Sequence, residues 1–151
     1  MFFVLHAPDS AKLIKEFTRI VIQGFGISNL VLTRVQGGAT QGIEQASKDC
    51  FKTETNFLVL SDLDDLKDLV PLHAIFLFPP PKFAASIVNA EAIATSIQQG
   101  KKLAFVFGGG KVSGLTRKEL QAGEAVKVTD KDVGPLASCA ILLHELEKAL
   151  S

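Results

Sequence analysis

Leu103-Ala104-Phe105-Val106-Phe107-Gly108-Gly109-Gly110-Lys111-Val112-Ser113-Gly114-Leu115 is the stretch that decides how this chain folds. A continuous apolar run meets three consecutive glycines. The run shows no alternation, which is the pattern of a strand covered on both faces, as in a parallel sheet. Glycines directly after such a strand let the backbone approach a partner closely and leave N–H donors free. A tight turn with no ligand would use the same residues.

Five more runs of this kind flank it: Phe2–Leu5, Leu30–Val35, Phe57–Leu60, Ala74–Phe78 and Ala125–Val128. Helical spacing fills the gaps. Leu13, Ile14, Phe17, Ile20 and Val21 form one stripe after Asp9 or Ser10 as N-cap, and Gly24 and Gly26 stop it. Ala39 to Phe51 repeats the stripe with Ile43, Ala46 and Cys50. Ser61 is expected to cap a short helix carrying Leu63, Leu66 and Leu69, with Asp62, Asp64 and Asp65 at its positive end. Lys82 to Gln99 reads as a longer helix after Pro79-Pro80-Pro81. The last helix runs from about Gly134 to Leu150, with Leu136, Cys139, Ala140, Leu143, Leu146 and Leu150 near heptad spacing. Strands separated by helices imply right-handed crossovers and a mostly parallel sheet with helices on both faces. The expected fold class is therefore α/β, one domain over residues 1–151.

Composition agrees. The chain has 151 residues, 47% of them hydrophobic and 21% charged, which excludes disorder. Lys+Arg and Asp+Glu are both 16, so no long-range basic field exists, and any nucleic-acid contact must be local or assembled by an oligomer. Cys50 and Cys139 read as buried free thiols in a reducing compartment. His6, His73 and His144 are scattered, and no metal site is expected. The N-terminus lacks a basic segment before its apolar run. No apolar run approaches the ~20 residues of a membrane span. A soluble cytoplasmic protein without a membrane partner is expected.

Ligands in open α/β sheets sit beyond the carboxyl ends of strands. Three such ends are chemically unusual: Phe78-Pro79-Pro80-Pro81-Lys82, Phe107 to Leu115, and Val128-Thr129-Asp130-Lys131-Asp132-Val133-Gly134-Pro135-Leu136. The glycine loop fails as a phosphate loop. Phe105 stands where the first glycine belongs, and Val112 replaces the hydroxyl residue after Lys111. It fails as a dinucleotide fingerprint too, because Ser113 replaces the third glycine and the motif follows a late strand.

Taken with Ala125-Val126-Lys127-Val128 and Pro135 to Glu145, the Leu103–Leu115 stretch resembles the C-terminal half of the SPOUT superfamily, the α/β-knot RNA methyltransferases, nearest the SpoU-like branch. In that family an apolar strand ends in a G-x-E-x-x-G-L loop, and a short strand then leads into a small-residue C-terminal helix. Phe25-Gly26 before Leu30-Val31-Leu32 resembles its earlier half. The resemblance covers roughly residues 10–150. It implies a C-terminal trefoil knot, S-adenosylmethionine bound by three knot loops, and an obligate homodimer. By matching position, the cofactor is expected against Phe78, Pro79, Gly109, Gly110, Gly114, Val128 and Leu136. Lys111 stands where the family carries Glu, Ala137 where an Asn is usual, and Ser10 near another usual Asn. Arg19 matches the family's catalytic Arg one place out of register.

The expected function is that of an S-adenosylmethionine-dependent RNA methyltransferase, acting on tRNA or rRNA, at ribose or base. DNA is not an expected partner. Arg19 is the candidate catalytic residue, as a planar donor that keeps its charge. Arg34, Arg117, Lys101, Lys102 and Lys111 are further candidates for RNA contact, whereas His144 and Glu145 read as helix surface or dimer seam. Two alternatives stay open. One is a non-catalytic dimer of the same fold, and the other a flavodoxin-like binder of nucleotides or anions.

Overall fold

The computed structural model describes residues 1–110 and 114–151. Seven strands form one sheet: β1 (Phe2–His6), β2 (Asn29–Thr33), β3 (Asn56–Leu60), β4 (Ala74–Phe78), β5 (Ser86–Ile87), β6 (Leu103–Gly108) and β7 (Glu124–Lys127). Five α-helices join them: α1 (Ala11–Thr18), α2 (Ile43–Lys52), α3 (Leu63–Leu69), α4 (Ala90–Gln98) and α5 (Gly134–Leu150). A π-helical turn, Arg19–Gly24, prolongs α1, and a 3-10 segment, Gly37–Gly42, leads into α2.

Every strand pairing is parallel, in the order β3-β2-β1-β6-β4-β7-β5. Side chains alternate between two covered faces. Phe3, Leu5, Leu30, Leu32, Phe105 and Phe107 pack with Ile14 and Phe17 of α1 and with Cys139, Leu142, Leu143 and Leu146 of α5. Val4, Val31, Ile75, Leu77, Ala104 and Val106 pack on the other face with Leu63 and Leu66 of α3. The register sets Phe3 beside Phe105 and Phe78 beside Phe107; the first pair is tilted with centroids 5.0 Å apart, and the second stacks at 4.6 Å. The continuous apolar runs of β1, β2 and β6 are thus strands buried on both sides, as the middle of a parallel sheet requires, whereas the edge strand β3 stays partly open, with Val59 exposed.

Three local expectations change. The stretch from Lys82 to Gln99 is not one helix. It is a 3-10 turn at Pro81–Phe83, the strand β5 and then α4, capped by Asn89, whose side chain accepts the Ala92 N–H at 3.1 Å. Two residues make β5, and among the described residues they pair with β7 alone, so no local pattern announces them. Asp62, not Ser61, caps α3: it accepts the Leu63 N–H at 2.7 Å, and Asp65 accepts the Asp62 N–H in return. β2 ends at Thr33 rather than Val35, because Arg34 adopts a left-handed backbone with φ 49°.

β7 enters the sheet between β4 and β5, which are consecutive in the chain. Residues 79–85, which join them, must therefore cross the end of β7. The order differs from the flavodoxin-like 2-1-3-4-5 arrangement. No helix among the described residues is long and apolar enough to cross a membrane.

Candidate cofactor cavity and a buried ionic cluster

The carboxyl ends of β4, β6 and β7 open onto one cavity of about 740 Å³. Phe78, Pro79, Gly109, Gly110, Gly114, Val128 and Leu136 all line it. Arg19 does not. It is exposed on the turn after α1. Close packing forms the wall at Gly109, where an added Cβ would meet Pro8 Cα at 2.9 Å and Leu13 Cδ2 at 3.0 Å. The lining also carries both signs of charge. Lys12, Lys127 and Lys131 stand with Asp9, Glu16 and Asp132, and Lys127 pairs with Asp130 at 3.0 Å. Size, apolar walls and side chains of both charge signs fit a ligand that combines an apolar ring with groups of opposite charge. The Lys111 position lies outside the described residues.

A second group lies at the carboxyl ends of β1, β2 and β3. His6 is fully buried, and its Nδ1 sits 2.7 Å from Thr33 Oγ1. Its Nε2 lies 2.6 Å from Glu119 Oε2. The contact is short, and both atoms are shut away from solvent. Arg34 Nη2 lies 2.8 Å from both Asp62 Oδ1 and Glu119 Oε2. Burial lowers the pKa of His6 and keeps the ring neutral, against the raising effect of Glu119. With hydrogen on Nε2, the ring accepts from the Thr33 hydroxyl and faces the carboxylate; this tautomer is assigned from the two partners. Burial alone would raise Glu119, but hydrogen bonds with Thr116, the charge that His6 carries once protonated at low pH, and the Arg34 guanidinium leave it below the ordinary carboxylate range. The hydrogen bond to Asp62 is the largest effect on Arg34 and holds it firmly protonated.

The ligand atoms of His6, Asp62 and Glu119 come within 4.8 Å of one another, as a metal site would require. The Arg34 guanidinium already stands between the two carboxylates, so the cluster carries its own cation. Among the candidates for RNA contact, Arg34 is therefore engaged in ion pairs, whereas Arg117, Lys101 and Lys102 are exposed. His144 and Glu145 are exposed on α5. Burial pushes the Cys50 thiol up to about 11 and the Cys139 thiol higher, which leaves both unreactive.

Sequence reasoning passed over His6, Thr33, Asp62 and Glu119 as functional residues. Their one local signal is position: His6 and Thr33 are the polar residues that close buried runs.

The fold is that of the SpoU-type methyltransferases. The chain resembles the TrmJ of Z. mobilis, at TM-score 0.72 and 15% identity, over 97% of this chain and 68% of that one. It also resembles the SpoU methyltransferase AviRb of Streptomyces viridochromogenes in complex with AdoMet, at 0.71 and 9% identity, over 98% of this chain and 59% of that one. A third likeness is to a protein of Haemophilus influenzae described as belonging to a methylase family, at 0.72 and 18% identity, over 98% of this chain and 65% of that one. In the last two cases this chain spans less than two thirds of the solved protein. At these identities the likeness is one of fold alone.

In sequence, the chain belongs to the family described as RecB-family nuclease (DUF2122), which matches residues 37–145. A relative from Methanocaldococcus jannaschii, MjaORF1200P, is 30% identical over 99% of this chain and 98% of its own length; its name assigns it provisionally to the type II restriction enzymes.

Proposed function

We propose that this protein binds S-adenosylmethionine in the cavity at the ends of β4, β6 and β7 and methylates RNA as a homodimer. One observation carries the reading: three loops rich in proline and glycine, from three separate strands, meet around a cavity of cofactor size. Phe78, Pro79, Val128 and Leu136 offer apolar surface for an adenine ring. Gly110 and Gly114 bring main-chain amides close, and Gly109 brings the backbone itself near without a side chain, so recognition does not depend on particular side chains. Bound there, the sulfonium would supply an activated methyl group. This chain's own residues position it, exclude water and hold its charged ends. The crossing of residues 79–85 over β7 is where the C-terminal trefoil knot would be threaded.

Arg19 lies outside the cavity lining and exposed, so its proposed partner is a substrate phosphate rather than the cofactor. Phe83 and Val133 line the cavity and yet stay 54% and 42% exposed. That apolar rim suits a substrate base or a second subunit.

A nuclease is the reading suggested by the family description. Metal-dependent phosphodiester cleavage needs carboxylates open to divalent ions. Among the described residues, the histidine–carboxylate cluster is filled by Arg34. Titration calorimetry with S-adenosylmethionine decides between the two. Saturable binding, followed by methyl transfer to RNA, supports the proposal. No heat at millimolar cofactor, together with magnesium-dependent cleavage of DNA, would replace it by the nuclease reading.

A further inference from the structure

We infer that His6 and Glu119 form a clamp on the described residues that follow β6, Gly109, Gly110 and 114–116, with Glu119 as the positioning residue through which the end of β1 sets ligand affinity in the cavity. This rests on the reading of that cavity as the cofactor site.

His6 touches this part of the chain at two points, Gly109 and Glu119. Its carbonyl accepts the Gly109 N–H at 2.8 Å, and its ring meets Glu119 Oε2 at 2.6 Å. Glu119 then turns its other oxygen to the loop. Oε1 accepts the Thr116 N–H at 2.9 Å, and the Glu119 N–H donates to Thr116 Oγ1 at 3.2 Å. Between these anchors lie Gly109, Gly110, Gly114, Leu115 and Thr116, all of which line the cavity.

Neither clamp residue is itself a lining residue. The His6 side chain is fully buried, and that of Glu119 is 10% exposed. Any influence on a ligand must therefore pass through the loop. Arg34 and Thr33 are the supports. Arg34, tied to Asp62, contacts the same Glu119 oxygen, and Thr33 fixes the His6 ring from its far side.

The backbone carries the same arrangement. Ala7 and Arg34, at φ 52° and 49°, are left-handed without being glycine. One directly follows His6 and the other Thr33. Strain of this kind persists where surrounding contacts over-determine it, and it clusters at ligand clamps. Here the Ala7 N–H donates to the Thr33 carbonyl at 2.8 Å and the Arg34 N–H to the Leu60 carbonyl at 3.0 Å.

The test pairs calorimetry with amide hydrogen exchange on the full chain. Glu119→Ala removes the side-chain contacts of the clamp, with the His6 ring, Arg34 and the Thr116 N–H, and Glu119→Gln keeps an acceptor for Thr116 but loses the charge facing His6 and Arg34. Thr33→Val touches no loop residue and frees only the His6 ring. The expected result is a graded loss of S-adenosylmethionine affinity, about tenfold for Glu119→Ala and less for the other two. Exchange should quicken at residues 114–119 and stay unchanged in β1, β4 and β6. A merely structural role would instead loosen the whole sheet together. Affinity within twofold of wild type in all three variants would overturn the clamp. If Glu119→Ala does not fold, the other two variants carry the test. If the wild type binds no cofactor, the cavity assignment fails on its own. Exchange in the unliganded variants then judges the clamp, and unchanged exchange at 114–119 would overturn it.

Discussion

At Gly109 a single added methyl group would press on Pro8, Leu13 and Leu5 at 2.9 to 3.1 Å. Two of those contacts are side chains that can shift, while the third is backbone. Gly109→Ala is therefore expected to cost about 1–3 kcal/mol, as overpacking does, and to narrow the cavity. Urea denaturation measures this, and a midpoint equal to wild type would contradict it. His6 gives the second residue-scale prediction. Its pKa lies below the ordinary 6.5, so below pH 6.5 the unfolded chain takes up a proton that the folded chain refuses. The contribution of the neutral ring is whole above pH 6.5 and is lost as pH falls from there through the folded value. The depressed carboxyls of Glu119 and Asp62 add losses of the same sign only below their ordinary values of 4.5 and 3.8. Thermal midpoints should thus begin to fall between pH 6.5 and 5. A flat or rising midpoint over that interval would count against a buried neutral His6.

α3 shows how one side chain serves an element and a site together. Asp62 caps the helix and holds Arg34 at 2.8 Å. Loss of an N-cap costs about 0.5–2 kcal/mol. Asp62→Ala should cost that much, and Asp62→Asn less, because asparagine caps as well as aspartate but lacks its charge. The cost of Asp62→Asn against wild type isolates the charge of the ion pair, and it should shrink in high salt because Asp62 is half exposed. An Asp62→Asn variant as stable as wild type would mean that the charge on the pair with Arg34 contributes nothing measurable. α5 serves through its inner face. Cys139, Leu142, Leu143 and Leu146 are buried, while Ile141 is 38% exposed on the opposite side. A helix with apolar residues on both sides suits packing on the sheet and against a second subunit.

For the molecule as a whole, two measurements bear on the proposed activity. Sedimentation equilibrium should give a dimer, and a monomer at micromolar concentration would remove the second subunit from the proposal. Arg19→Ala should leave S-adenosylmethionine affinity within about twofold of wild type, because the residue lies outside the cavity, while RNA binding weakens and its salt dependence falls. Unchanged RNA binding would show Arg19 to be plain surface. Zero formal charge makes such local contacts decisive, since no general field draws RNA to this protein.

The amino-acid sequence by itself determined the α/β class and the position of most strands, because burial on both faces leaves a continuous apolar signature that needs no knowledge of neighbours. It also marked the three strand ends at Phe78, Phe107 and Val128, because proline and glycine carry their backbone consequences locally. Only the tertiary structure decided the rest. β5 exists because β7 lies beside Ser86 and Ile87, and two residues hold no periodicity. The group at His6, Thr33, Arg34, Asp62 and Glu119 is assembled from residues up to 113 positions apart, counting from 6 to 119. Each of them alone is an ordinary polar residue at the end of a strand, just after one, or in a helical turn. Burial and mutual charge make them a unit, and both arise only when the chain closes on itself.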